Sequence, residues 1–172
     1  MRTWMKAFGL TILGMVIVAV RASAGPGNGA EAFERLKALV GHWETDKTNM
    51  NKASLDLELT SGGTAILEKS HMVEDGKPVE MTTLYYLDGG DVKLTHYCMA
   101  GNQPRMSAAI SPDTKTITFD FIDGTNIPAP QSGHMRRLVI RIPSPGRHIE
   151  EWTYVENGKE STVLSDVRRV KL

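Results

Sequence analysis

Residues 92–106 read V-K-L-T-H-Y-C-M-A-G-N-Q-P-R-M. Val92, Leu94, His96 and Cys98 alternate with Lys93, Thr95 and Tyr97. A period of two is the signature of a strand, so His96 and Cys98 share the face of Val92 and Leu94. Gly101-Asn102-Gln103-Pro104 turns the chain, and Arg105 to Ile110 runs back. The apolar companions make the shared face internal. A polar group on such a face needs a partner or a ligand, because an unpaired buried one costs about 1–3 kcal/mol. The turn at 101–104 brings Arg105 close to the end of the first strand, so His96 and Arg105 are expected to reach a common internal or rim space.

Outward from this hairpin the alternation repeats. Leu55, Leu57 and Leu59 alternate with Asp56, Glu58 and Thr60, and Ser61-Gly62-Gly63 turns the chain into a strand from Thr64 to Met72. Turns at Asp75-Gly76-Lys77-Pro78 and Asp88-Gly89-Gly90 bracket a strand from Val79 to Leu87. Thr116 to Ile122 is the clearest strand, with Ile117, Phe119 and Phe121 on one face. A longer loop runs from Asp123 to Gly133, and strands follow over His134 to Ile142, His148 to Val155 and Ser161 to Val170. Asn157-Gly158 is a type I′ hairpin signal. Ahead of them, Phe33, Leu36, Leu39 and Val40 form one apolar stripe, predicting a helix over Glu31 to Val40 with Asn28 as N-cap and Gly41 as stop. Gly41-His42-Trp43-Glu44 reads as the first strand. About ten short strands in sequential hairpins describe an all-β, up-and-down antiparallel meander that closes into a barrel, which removes exposed edges. A sandwich of two sheets is the alternative. No internal repeat or second domain is present.

The ends and the charge narrow the function classes. Arg2 and Lys6 precede an apolar run from Ala7 to Val20, and Ala22-Ser23-Ala24 is an A-x-A site. This reads as a signal peptide over residues 1–24, ahead of a single domain over 25–172, and predicts a secreted or periplasmic protein with no membrane attachment after cleavage. The whole chain balances 20 Lys and Arg against 20 Asp and Glu; removing Arg2, Lys6 and Arg21 leaves 17 against 20, a net charge of −3. That argues against nucleic acid as a partner. A single Cys excludes an internal disulfide.

The arrangement resembles lipocalin-like (calycin) barrels. The residues that carry the likeness are the short helix, Gly41-x-Trp43-Glu44, and Met81, Thr82, Thr83, Tyr85, Leu87, Asp88 and Gly89 followed by Thr95 to Met106. More narrowly, the chain is similar to secreted bacterial lipocalin-like proteins of unknown function. The resemblance implies a central cavity for a small, often apolar ligand. The heme-binding nitrobindins share the architecture, but their glycine-rich opening motif is absent, since His42 and Glu44 lead into Thr45-Asp46-Lys47. No cofactor is assigned.

The candidate ligand-binding residues are His96, Cys98, Arg105, Asn126 and Trp152. Arg105 suits a carboxylate on an acidic ligand, or an internal ion pair with Glu68 or Asp120. Asn126 lies on the long loop, a natural lid. Trp43 and Trp152 read as core plugs, Trp152 also as a ligand wall. His96 and Cys98 lack the further ligands a metal site needs, so no metal is assigned. His42, His71 and His148 have no partner spacing. No nucleophile elbow, phosphate loop, dinucleotide fingerprint or zinc-protease helix is present. Three functions remain: a small-molecule binder whose ligand is apolar with a polar or acidic end; an isomerase or cyclase using His96 as base and Arg105 as clamp; and a filled barrel with a structural or partner-binding role.

Overall fold

The computed structural model describes residues 28–45, 52–74, 76–113 and 115–170. The expected signal peptide and its cleavage site lie outside these residues. Helix α1 (Asn28–Lys37) precedes strands β1 (Gly41–Thr45), β2 (Ala53–Thr60), β3 (Ala65–Glu74), β4 (Lys77–Asp88) and β5 (Asp91–Tyr97). Strands β6 (Gln103–Ile110), β7 (Thr116–Thr125), β8 (His134–Ser144), β9 (Arg147–Glu156) and β10 (Lys159–Arg169) complete the chain. Each strand pairs antiparallel with its neighbours, and β1 pairs with β10 through Trp43 and Arg169, Glu44 and Arg168, and Thr45 and Val167. This last ladder closes a ten-stranded barrel and excludes the sandwich. Asn157 and Gly158 both take positive φ, 50° and 74°, as a type I′ turn demands. No helix among the described residues is long and apolar enough to cross a membrane.

Most strand ends shift by one or two residues from the sequence reading, and two differences are larger. The helix spans Asn28–Lys37 rather than Glu31 to Val40, so Asn28 lies inside it. Its end tightens into shorter bonds, from Leu39 N to Leu36 O at 2.9 Å and from Val40 N to Lys37 O at 3.1 Å. Arg169 of β10 then donates to the carbonyls of Ala38 and Val40, both at 2.6 Å, and stacks over the Trp43 ring. The second change is in β7, which runs on to Thr125. Register shifts between Arg105 and Met106, so that Met106 faces Phe121 while Arg105 faces Asp123. Ile122 is the extra residue of this bulge, and the pairing it permits shortens the long loop to residues 126–133.

The α1 end of the barrel is packed shut. Phe33 and Leu36 from the helix and Leu39 just after it meet Trp43, Val92, Leu94, Ile117 and Ile140 from the strands, all buried. Each such side chain contributes about 1.5–3 kcal/mol through burial. The helix lies so close to the β4–β5 turn that a Cβ on Gly29 would sit 1.7 Å from the Gly90 carbonyl oxygen. Glycine at position 29 is what permits that contact. At the opposite end, inward residues such as Ser70, Met72, Phe121, Trp152 and Tyr154 are only half-buried, and Val163, paired with Trp152, is 48% exposed. Solvent therefore reaches inside the barrel from this end, the mouth.

Candidate functional site

His96 lies on β5 between the shut end and the mouth, 2% exposed. Cross-strand pairing sets Thr83 of β4 directly opposite, and Thr83 Oγ1 is 2.9 Å from His96 Nδ1. The His96 ring lies against Trp152 of β9, centroids 4.6 Å apart. Its second nitrogen, Nε2, is buried with no hydrogen-bond partner among the described residues. Burial pushes the imidazole pKa down to about 4, so the ring is neutral at physiological pH.

Beyond His96, towards the mouth, Cys98 is buried and its N–H donates to the Asn102 carbonyl at 3.0 Å. Asn102 is itself buried; its side-chain N–H donates to Gly133 O at 2.7 Å, joining the β5–β6 turn to the start of β8, and its Oδ1 has no partner among the described residues. The His134 ring packs on Phe121, and its Nδ1 is 2.7 Å from Ser132 O. His96, Cys98 and Trp152 thus share the inward face at this end.

Arg105 does not join them. Its register partner is Thr95, so it projects from the outer face, while His96 points inward. There it grips Asp123 with two parallel bonds, Nε to Oδ1 at 2.6 Å and Nη2 to Oδ2 at 2.5 Å, both side chains about half exposed. Neither expected internal partner is used: Asp120 takes Arg137 and Glu68 takes a tyrosine. Arg105 faces out because it pairs with Thr95 and alternates with the buried Met106, and the bulge turns Asp123 to the same face beside it. Asn126 is exposed and holds a left-handed φ of 56° at the end of β7. Its side-chain N–H donates to Gly101 O at 3.0 Å. It ties the loop to the neighbouring turn and sits outside the mouth.

Below His96 the barrel holds a polar cluster that the sequence reading missed. Glu68 of β3 and Glu150 of β9 are 2% and 1% exposed. The Tyr85 hydroxyl donates to Glu68 Oε2 at 2.8 Å, and Trp152 Nε1–H donates to Glu150 Oε2 at 3.3 Å. His148 Nε2 lies 3.3 Å from Glu150 Oε1, yet without the alignment of a hydrogen bond, and Glu150 Oε1 and both His148 nitrogens are unpartnered among the described residues. Desolvation and the charge of Glu150 push the Glu68 carboxyl well up. Desolvation raises Glu150 to about 7 and lowers His148 to about 4. Glu68 is therefore the partner that stays protonated, and Glu150 is the one of the pair that ionises as the pH passes 7. The signal was legible in principle. Glu68 falls in phase with Ile66, and Glu150 in phase with His148 and Trp152, which puts a carboxyl on an apolar face.

Among the described residues no three His, Cys, Asp or Glu converge as a metal site. A surface groove of about 380 Å³ lies between α1 and the β2–β3 turn, lined by Ala30, Phe33 and Leu87 among others. Its acidic residue, Glu34, already pairs with Lys37.

No family model matches the chain, and no curated protein matches it. Among solved structures the chain is similar to one titled "Crystal Structure of Rv2717c from M. tuberculosis". The two share 17% identity over 83% of this chain and 99% of that one, with a TM-score of 0.60. At that identity the likeness shows the fold, a closed antiparallel barrel consistent with a calycin-like architecture.

Proposed function

We propose that this is a secreted or periplasmic lipocalin-like protein that binds a small molecule at the mouth opposite α1. The reading rests on His96 Nε2: a buried polar atom without a partner, on a ring stacked against the half-buried Trp152. A ligand that fills the mouth supplies the missing hydrogen bond and covers apolar surface on Trp152 and Phe121, worth about 25 cal/mol per Å² before losses. Its body is apolar and its inner end polar. An acidic end loses its support, because Arg105, the cation assigned to it, faces outward and is already paired. The enzyme reading loses its clamp for the same reason. The polar pair beneath His96 is sealed from solvent, which favours binding over turnover. A filled barrel describes the α1 half alone.

Native mass spectrometry of the protein purified from its own host tests the proposal. A co-purifying mass released by Trp152→Ala is the expected result. A protein whose mass matches the bare chain, and which binds nothing from a host extract, would overturn it.

A further inference from the structure

The ligand-facing chemistry of the mouth has a sign. Among the described residues of the strands, lysines and arginines lie on the outer face, and many are paired there: Arg105 with Asp123, Arg137 with Asp120, Arg141 with Glu151 and Arg147 with Asp166. Arg169 is an exception, held at the shut end by two carbonyls, and Lys77 and Lys159 share the inward phase but stand exposed at the first residue of β4 and β10. The inward face carries instead two carboxyls, Glu68 and Glu150, and neutral imidazoles. The unpartnered atoms from the cluster to the rim agree with this. Asn102 Oδ1 can only accept a hydrogen bond, Glu150 Oε1 only accepts when the carboxyl is ionised, and His96 Nε2 accepts when Nδ1–H donates to Thr83. The apolar walls include the faces of Trp152 and Phe121, which attract a cation electrostatically through the ring quadrupole.

We propose that the mouth takes aryl-alkyl amines, with the flat body against Trp152 and Phe121 and the ammonium turned to the acceptors of the inward face, and that Glu150 sets the preference for cations over anions. The proposal rests on the mouth being the binding site. An anionic analogue of the same shape would meet carboxyl oxygens with no cation to offset them.

Three probes that share a phenylethyl or phenylmethyl body separate the outcomes: 2-phenylethylamine, 2-phenylethanol and phenylacetate, titrated calorimetrically into the purified protein at neutral pH. The amine is expected to bind at least about tenfold more tightly than phenylacetate, with the alcohol between. Trp152→Ala should weaken all three, and Glu150→Gln should narrow the ratio of amine to alcohol several-fold. Should Glu150→Gln fail to fold, the wild-type ratio decides by itself. Equal or tighter binding of phenylacetate, weakened by Trp152→Ala, would overturn the amine assignment and leave the mouth as a site. Absence of binding by every probe, with the fold intact by circular dichroism, would overturn the assignment, and the native mass measurement then reports separately on the mouth.

Discussion

Replacing Glu150 by Gln should change how stability responds to pH. The carboxyl titrates near 7 in the barrel and near 4.5 when unfolded. Its pKa is raised on folding, so its contribution is fully present below 4.5 and is lost as pH rises through 7. For those two values the loss between about pH 5 and pH 8 is about 2.5 kcal/mol. His96 and His148 act with the opposite sign. Folding lowers both to about 4, so their contribution is present above 6.5 and is lost as pH falls towards 4. The two histidines together outweigh the one carboxyl, so wild type should be weakest in acid and level out near neutral pH. In Glu150→Gln the amide oxygen can still accept from Trp152 Nε1–H, and the histidines are untouched, so the difference between the two proteins reads the carboxyl at position 150 together with its coupling to Glu68. Urea unfolding across this range, followed by tryptophan fluorescence, measures it. The variant should gain about 2.5 kcal/mol on wild type between about pH 5 and pH 8. Parallel stability curves for the two proteins would refute the reasoning, because they would mean that no ionisable group at position 150 is held away from water.

Arg105→Ala removes an exposed pair, so it should cost less than about 1 kcal/mol and leave ligand affinity unchanged; thermal unfolding and calorimetry of the one variant check both. Arg169→Ala deletes two hydrogen bonds to the end of α1 and the stacking on Trp43, so a loss of about 2 kcal/mol is expected, read by chemical unfolding. Thr83→Val removes the partner of His96 Nδ1 and should cost about 1–3 kcal/mol, with a shift in the imidazole nitrogen resonances of His96 by NMR. Export predicts that material recovered outside the cytoplasm begins at Gly25, as N-terminal sequencing would show; retention of Met1 in a membrane fraction would contradict it.

The amino-acid sequence by itself determined the strands and their inward faces. A period of two is a local property, and Ile117, Phe119 and Phe121 announce it without reference to any partner. Turn chemistry is equally local: Asn157-Gly158 tolerates the positive φ values its hairpin needs. The inward phase of His96 followed from the same rule, and so did its burial beside Val92 and Leu94. What only the tertiary structure decided is which residues meet across the barrel. Ring contact between His96 and Trp152 joins residues 56 positions apart, because closing the sheet sets β5 and β9 face to face across the interior. The Glu68 and Glu150 pair arises in the same way from β3 and β9. The partner of Arg105 depended on a single extra residue, Ile122, on the neighbouring strand, whose bulge sets Asp123 opposite it. A bulge changes which side chains share a face without leaving a mark in the alternation of the strand it affects. Alternation fixes the side of the sheet that a residue occupies, whereas the site is made of distances between strands, and those come from closure and register.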